Sequence, residues 1–323
     1  MKFSGPAIVP RPLFIVALVV LAALGCDRDE DYSRLDFSQT QTKANSQTPS
    51  AQGKVLRVAI GAMISPQETI NYYDDMMAYL GKRAGTGISV IQRKTYQEIN
   101  ELFSAGQADM AFICTGPYVL GRKKYGFEAL ATPVIRGQPL YQSYLIVGKN
   151  SLFLSLSDLK GKSFAMTDPD SLTGALAPRF WLAKVGLKPE NFFGKLIYTY
   201  SHDNSIFAVA RGLVDAAAVD GHKWEYFERT KPRFTRLTRI LMKSEPFGSP
   251  PAVVSSSLSP EIKEKIRLGL LTMHENPEGR EILAKLMIDR FVEPDEKWYE
   301  PVSSMYKSVE NTGKGDSRGS EKP

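Results

Sequence analysis

The chain contains 323 residues with a formal net charge of +6, and 43% of its residues are hydrophobic while 24% are charged. These proportions are typical of a soluble globular protein. The basic residues are scattered along the sequence rather than clustered, which argues against nucleic-acid binding.

Residues 1–25 have the pattern of an export signal. Lys2 and Arg11 supply positive charge, and an uncharged apolar run extends from Leu13 to Leu24. This run is too short to cross a hydrocarbon core of about 30 Å as a helix. Its length and its flanking residues match the hydrophobic region of a signal peptide.

The end of this run, Leu24-Gly25-Cys26, resembles the lipobox of bacterial lipoproteins. The resemblance implies that Cys26 is lipidated and becomes the first residue of the mature protein. Asp27 resembles the signal that retains lipoproteins at the inner membrane of many Gram-negative bacteria, so we expect an anchor on its periplasmic face. The alternative is an ordinary signal peptide that contains a cysteine.

Both ends of the mature chain are polar. After the lipidated cysteine, residues 26–53 predict a flexible tether, because they hold too few apolar side chains to offset their ordering entropy. Residues 308–323 predict a disordered tail for the same reason. With Cys26 lipidated, only Cys114 remains, so no intramolecular disulfide can form and we expect a buried, inert thiol.

The core of the chain alternates strand and helix patterns. A strand over 54–61, a helix over 69–84, a strand over 88–91, a helix over 96–105 and a strand over 109–113 predict a mostly parallel sheet. The second half repeats this order. Its strands are predicted at 143–147, 163–166, 196–200 and 215–219, with helices from Ser171 to Val185 and from Asp203 to Gly212.

Two segments join these halves. The chain leaves the first half near Tyr141 and returns at 250–254, and helices follow over 260–272 and 277–287. Two crossing strands between α/β units form a hinge. We therefore predict two α/β lobes with flanking helices: 54–141 plus 250–307 as lobe 1 and 142–249 as lobe 2. Ligands of such sheets bind beyond the carboxyl ends of the strands, here in the cleft between the lobes.

The segment 168–175 is the strongest candidate site. It follows a predicted strand and opens a predicted helix, whose first backbone amides lack internal partners and carry partial positive charge. With the hydroxyls of Ser171 and Thr173, this segment predicts an anion site. The alternative is capping of the helix by Ser171 or Asp170, which requires no ligand.

Other chemistries have weaker support. Gly161-Lys162-Ser163 looks like the end of a P-loop, but Leu156 stands where the earlier glycine is required. The three histidines, His202, His222 and His274, lack metal-ligand spacing. We predict no metal site and no cofactor, and an extracytoplasmic hydrolase is a third choice.

Several short segments between about Val55 and Leu286 form a recognisable series. These segments are 96–98, 106–111, 116–118, 141–144, 158–162, 168–174, 201–203 and 212–216. In their order and spacing they resemble the phosphonate-binding (PhnD-like) periplasmic proteins. The resemblance implies a type II-like periplasmic binding protein that captures phosphonate, phosphite or a related oxyanion for an ATP-driven importer.

The resemblance also implies roles for single residues. Ser171, Thr173 and the amide of Gly174 would hold the oxyanion, and His202 would donate to it as a half-protonated imidazole. Tyr96 and Tyr141 would close the cleft. Core packing is the alternative for each tyrosine, and a structural role is the alternative for His202.

One departure from the family concerns the rest of the ligand. Members that recognise an aminoalkyl group place an acidic residue shortly after the segment that matches 215–219. Asp220 is close to that position, but His222 lies nearer to it, so an amino group is doubtful. Ser249 is predicted to line the far wall of the cleft.

The predicted partners are an ABC permease and its ATPase, for a monomeric binding protein. A module that reports ligand occupancy to a sensor kinase or a chemoreceptor is the alternative, because both use the same closure on ligand. A sulfonate is the main rival ligand, since sulfur and phosphorus oxyanions are similar in shape.

Overall fold

The computed structural model describes residues 1–2, 55–61, 63 and 65–315. Residues 3–25 of the predicted signal peptide, Cys26, the tether and residues 316–323 lie outside the described residues. None of the helices in the described part has the length and apolar character needed to cross a bilayer.

Thirteen β-strands are formed by the described residues. In chain order they are β1 (Leu56–Ile60), β2 (Ile88–Gln92), β3 (Met110–Phe112), β4 (Phe127–Val134), β5 (Leu140–Tyr141), β6 (Ser143–Gly148), β7 (Ser163–Met166), β8 (Lys195–Tyr198), β9 (Ala216–Asp220), β10 (Thr238–Lys243), β11 (Phe247–Gly248), β12 (Ala252–Ser255) and β13 (Arg290–Val292).

The same residues form eleven α-helices. They are α1 (Pro66–Ala84), α2 (Tyr96–Ser104), α3 (Thr115–Tyr125), α4 (Ala177–Ala183), α5 (Pro189–Phe192), α6 (His202–Ala210), α7 (Gly221–Thr230), α8 (Pro232–Thr235), α9 (Pro260–Leu271), α10 (Pro277–Lys285) and α11 (Glu300–Gly315). A π-helical turn, Leu172–Leu176, directly precedes α4.

The first sheet has six strands in the order β13-β4-β12-β3-β1-β2. The strands β1, β2 and β3 pair in parallel, as expected for strands joined by crossover helices. The strands β12 and β13 pair antiparallel with their neighbours, so four of the six strands run in one direction. Buried side chains of α1, including Met76 and Leu80, belong to the core of this lobe.

The second sheet has five strands in the order β10-β6-β9-β7-β8. The strands β7, β8 and β9 pair in parallel, and β6 runs against both of its neighbours. The sequence of β9, Ala-Ala-Ala-Val-Asp, is completely buried, because small side chains allow helices to pack closely on both faces of a central strand.

The two sheets are joined by a short pair of strands. Tyr141 of β5 pairs with Phe247 of β11, and Leu140 pairs with Gly248. The predicted two-lobed α/β architecture with a two-strand hinge is confirmed. The lobe boundaries 54–141 with 250–307, and 142–249, stay a prediction; below, lobe 1 and lobe 2 mean the parts built around the six-stranded and the five-stranded sheet.

The C-terminal helix α11 also contacts both lobes. It packs against α3 of lobe 1 and against α4 of lobe 2. Residues 308–323 were expected to be disordered, but α11 continues to Gly315. The expectation was wrong for residues 308–315, because Val309 packs against the core and Thr312 donates to the carbonyl oxygen of Ser308.

Candidate functional site

The carboxyl ends of the parallel strands in lobe 2 carry most of the predicted site residues. The chain leaves β7 toward Asp168 and the π-helical turn with Thr173, leaves β8 toward His202, and ends β9 at Asp220. Because these strands are parallel neighbours, their ends meet at one edge of the sheet. This edge is where open α/β sheets bind ligands.

The parallel strands of lobe 1 present the same end to lobe 2. Met63 follows β1, Tyr96 follows β2 and Cys114 follows β3. A direct bond shows that the two edges face each other, because the amide of His202 donates to the carbonyl oxygen of Met63 at 3.1 Å. The cleft between the lobes is therefore closed at this point.

Two aspartates of lobe 2 bond to the starts of two helices in lobe 1. The carboxylate of Asp168 accepts from the amide of Tyr96 at 3.0 Å, and that of Asp203 accepts from the amide of Ser65 at 3.0 Å. A helix start offers unpaired amides and partial positive charge, so a carboxylate there is stabilising. We call these two contacts the interlobe caps.

A glycine permits the closest approach of the two lobes. Gly116 lies in the first turn of α3, and a Cβ added to it would stand 2.1 Å from the carbonyl oxygen of Asp170 in lobe 2. A carbon atom at that distance would overlap the carbonyl oxygen, so only glycine fits at this position. The predicted family segment 116–118 thus contains a position where the lobes meet without room for a methyl group.

The π-helical turn and its cap hold three of the predicted ligand residues, all buried. Ser171 caps the turn, because its Oγ accepts from the amide of Gly174 at 3.0 Å. The amide of Gly174 is therefore engaged within the protein, unlike the role predicted for it. The carbonyl oxygen of Thr173 accepts from the hydroxyl of Ser143 at 2.6 Å, which fixes the turn against β6. Single π-helical turns often occur at functional sites.

His202 is oriented by the end of β9. Its Nδ1 accepts from the amide of Asp220 at 3.0 Å, so the proton of the neutral ring is on Nε2. Complete burial, and then the charge of Lys223, lowers the pKa of His202 to about 3. The prediction of a half-protonated imidazole was wrong, because the closed cleft removes the water that would stabilise the charged ring.

The two tyrosines differ in their partners. The hydroxyl of Tyr141 lies 3.8 Å from the Sγ of Cys114, and its ring lies 5.8 Å from the ring of His222. The hydroxyl of Tyr96 is buried without a hydrogen-bond partner among the described residues. Burial, then the nearby Cys114 and Asp168, raises the pKa of Tyr96 well above its usual value, so it remains a hydroxyl donor.

Tyr96 is one of several polar atoms that stay unpaired around this edge. In the described part of the chain, the Oγ1 of Thr173, the Oγ of Ser201 and the Nε2 of His202 are buried without a partner, and so is the Oγ of Ser249 beside the hinge. Each unpaired buried polar group costs about 1–3 kcal/mol. Buried polar groups in proteins normally have a partner, so we expect a ligand or ordered water beside these groups.

Two carboxyl groups at the site have raised pKa values. Burial raises the pKa of Asp220 to about 6, although Lys223 and backbone amides oppose the shift. Burial likewise raises the pKa of Asp168 to about 6. Each of these carboxyls takes up a proton as the pH falls through about 6, so the negative charge near a bound anion is smaller below that pH.

A cavity of about 40 Å³ lies between the lobes beside these groups. Nine of its lining residues come from lobe 1, and the lobe 2 wall consists of Asp220, His222 and Lys223. Asp220 is the one predicted ligand residue that lines it; the other six are buried but do not line it. Among the described residues, no cluster of His, Cys, Asp and Glu is suited to a metal ion.

Residues 58–299 match the family model described as ABC transporter, phosphonate, periplasmic substrate-binding protein. The chain belongs to this family. It is 24% identical over 241 residues to a phosphonates-binding periplasmic protein of Escherichia coli, which covers 73% of this chain and 71% of that protein. It is 27% identical over 211 residues to a phosphate-import protein of Mycolicibacterium smegmatis, which covers 62% of this chain and 61% of that protein.

A solved structure supports the same assignment. The binding protein component of an ABC phosphonate transporter from Pseudomonas aeruginosa superposes with a TM-score of 0.76 and 25% sequence identity, covering 80% of this chain and 87% of that one. The resemblance to the phosphonate-binding family and the two-lobed binding-protein fold are both confirmed. A member of this family is a solute-binding component of an ABC importer.

The sequence did not reveal how this family member closes. Asp168, Asp203 and Gly116 all lie in segments that carried the family resemblance, but their contacts across the cleft have no local signature. The signal available for the aspartates was their position directly after a strand or at a helix start. The apolar wall of the cavity gave no signal, because its residues come from distant segments.

Proposed function

We propose that the chain captures a small phosphorus oxyanion of the phosphonate, phosphite or phosphate type between its lobes, and presents it to an ABC permease and ATPase. One observation carries the proposal. The hydroxyl of Tyr96 in lobe 1 and the Oγ1 of Thr173 and Nε2 of His202 in lobe 2 are buried and unpaired among the described residues, at edges that face each other.

An oxyanion fits these groups for two reasons. All three can donate, because Tyr96 and Thr173 carry hydroxyls and His202 has its proton on Nε2. The hydroxyl proton of Ser171 can also point outward, since its oxygen is the acceptor for Gly174. Hydrogen bonds to a charged acceptor contribute about 1.5–3 kcal/mol each. Three or four of them support micromolar binding, about −8 kcal/mol, after the cost of association.

The same geometry favours binding without catalysis. Ser171 bonds to the amide of Gly174 rather than to His202, so the serine and histidine do not form a nucleophile and base pair. A histidine with a pKa of about 3 is a weak general base near neutral pH. A phosphonate held here is expected to leave chemically unchanged.

The proposed place of action is the periplasmic side of the inner membrane, with a monomer anchored through lipidated Cys26. The support is the sequence of the first 27 residues and the periplasmic character of the family. Labelling with a radioactive fatty acid tests the anchor: we expect the wild-type chain to carry the label and the Cys26→Ala chain to lack it.

The double variant Ser171→Ala with Thr173→Ala tests the binding site. We expect its affinity for methylphosphonate to fall at least about 100-fold, since two donors to the anion are removed. Calorimetry with methylphosphonate, phosphite, phosphate and methanesulfonate measures the loss and also separates phosphorus from sulfur ligands.

The matched control replaces the exposed Ser157 and Thr230 by alanine in the same way. Thermal melting shows whether each variant is folded, because loss of the Ser171 cap alone is expected to cost about 1 kcal/mol of stability. A folded double variant that binds as tightly as the wild type contradicts the assignment.

A further inference from the structure

The interlobe cavity has an apolar wall on the side of lobe 1. Met63, Tyr73, Phe112, Ile135 and Phe291 line it there, with Asp220 opposite. Tyr73 and Phe112 lie with ring centroids 5.1 Å apart. The volume of about 40 Å³ exceeds the ~15 Å³ that one enclosed water needs, so the cavity holds several heavy atoms.

Two lining residues of the cavity bond to His202, which carries one of the unpaired donors. Met63 lines the cavity, and its carbonyl oxygen accepts from the amide of His202. Asp220 also lines it, and its amide donates to Nδ1 of the same histidine. A Cβ added to Gly61 would lie 3.5 Å from both the ring of Tyr96 and the carbonyl oxygen of Phe112. A group attached to an anion beside His202 and Tyr96 would therefore enter this cavity.

The charged residues of the cavity wall do not select a cation. Asp220 and Lys223 carry opposite charges and lie near each other on α7 and its cap. The Oδ1 of Asp220 already accepts from the amide of Lys223 at 3.1 Å. The third polar residue, His222, is neutral, because burial and then Lys223 lower its pKa to about 3. An ammonium group here would lie beside the positive charge of Lys223.

We propose that this cavity holds a short, uncharged, apolar substituent on the phosphorus atom, so the ligand class is a small alkylphosphonate. This inference rests on the proposed function, because the cavity acts together with the oxyanion donors. Phosphite and phosphate have no such substituent and would leave the cavity unfilled. An aminoalkylphosphonate has an ammonium group, which needs a partner that the cavity does not provide.

The expected gain in affinity follows from the burial of apolar carbon atoms of the ligand. Each methylene moved from water into an apolar environment raises affinity by about fourfold. We expect affinity to increase from phosphite through methylphosphonate to ethylphosphonate and propylphosphonate. It should then fall for hexylphosphonate, whose chain exceeds the cavity.

Calorimetry on the purified full-length chain tests the inference with a matched pair of ligands. Propylphosphonate and 2-aminoethylphosphonate have the same shape and differ in a terminal methyl or ammonium group. We expect propylphosphonate to bind at least tenfold more tightly. Equal or tighter binding of 2-aminoethylphosphonate, or of phosphite, overturns the inference and leaves the oxyanion site intact. If none of these ligands binds, the proposed function fails as well.

Two variants change the cavity in opposite directions. Ile288 lines the cavity, and Ile288→Phe should lower the affinity for propylphosphonate more than the affinity for methylphosphonate, so that the advantage of the longer chain is lost. Phe291→Leu should move the optimum to a longer chain. The exposed Leu268→Phe is the control for an added ring in the same lobe. An unchanged chain-length preference in both folded variants overturns the inference.

Discussion

The two walls of the cleft have different chemistry. On the lobe 2 side of the cleft, the hydroxyls of Ser171 and Thr173 and the Nε2 of His202 lie in segments that follow parallel strands of one sheet. The lobe 1 wall is mainly apolar, and Tyr96 is its principal donor. The contrast indicates that lobe 2 recognises the anion, while lobe 1 excludes water and selects the rest of the ligand. Water exclusion strengthens each hydrogen bond to the anion.

The strongest way to test this division is to keep both walls and prevent them from meeting. Gly116→Ala places a methyl group where the carbonyl oxygen of Asp170 lies 2.1 Å away, without changing any group proposed to touch the ligand. We expect methylphosphonate affinity to fall about 100-fold or more, because the open cleft leaves the lobe 2 donors in water. Small-angle X-ray scattering should show a larger radius of gyration with saturating ligand than the wild type has.

Gly148→Ala is the control for this variant, since an added Cβ there meets no atom within 4 Å. If Gly116→Ala closes and binds like the wild type, the lobes do not need this close approach. The assignment of anion recognition to lobe 2 and of water exclusion to lobe 1 would then lack structural support.

A pair of substitutions at His202 separates its two nitrogen atoms. His202→Asn retains an acceptor for the amide of Asp220 but loses the donor at the position of Nε2, and His202→Gln retains a donor near that position. We expect the asparagine variant to lose about 10- to 100-fold in affinity, the value of one hydrogen bond to a charged group. The glutamine variant should lose less. The reverse order, measured by calorimetry, would assign His202 a structural role.

Asp220→Asn should produce the smallest change in ligand affinity, and this change should depend on pH. The pKa of Asp220 is about 6, so the carboxyl is mainly protonated at pH 5 and ionised at pH 8. A bound anion raises this pKa further, so wild-type binding takes up a proton and weakens as pH rises through 6. The variant has no such proton uptake, and its amide oxygen can still accept from the amide of Lys223.

The affinities of the wild type and of Asp220→Asn are compared at the same pH, so the protonation state of the free ligand is the same in both measurements. We expect equal affinities for methylphosphonate at pH 5 and about tenfold tighter binding by the variant at pH 8. Weaker binding by the variant at pH 8 would show that the ionised carboxylate makes a favourable contact with the ligand.

The sequence predicted the parts of the fold that depend on local periodicity. The strands β1, β7 and β9 and the helices α1 and α2 follow from alternating or helical apolar patterns with clear ends. For example, Thr95 and Glu98 form a capping box at the start of α2. The helix α3 was not predicted, because Thr115-Gly116-Pro117 resembles a turn, and its place in the fold depends on contacts with α2 and the π-helical turn.

The sequence likewise predicted some features of the candidate site and not others. Ser171, Thr173 and His202 could be found because they stand directly after strands, where parallel sheets bind ligands. Their protonation and the engagement of the Gly174 amide could not be predicted, because both depend on burial by the opposite lobe. The cavity wall was also beyond prediction, since Met63, Phe112 and Phe291 are brought together by the folded chain.

The interlobe caps have a consequence for kinetics. Asp168 and Asp203 satisfy helix amides of lobe 1 with protein carboxylates, so the shut form is stabilised before any solute arrives. Little of the solute's binding free energy is then needed to bring the lobes together. Entry, however, requires both carboxylates to release their amides first. In such a molecule the aspartates limit how fast a solute is taken up and released.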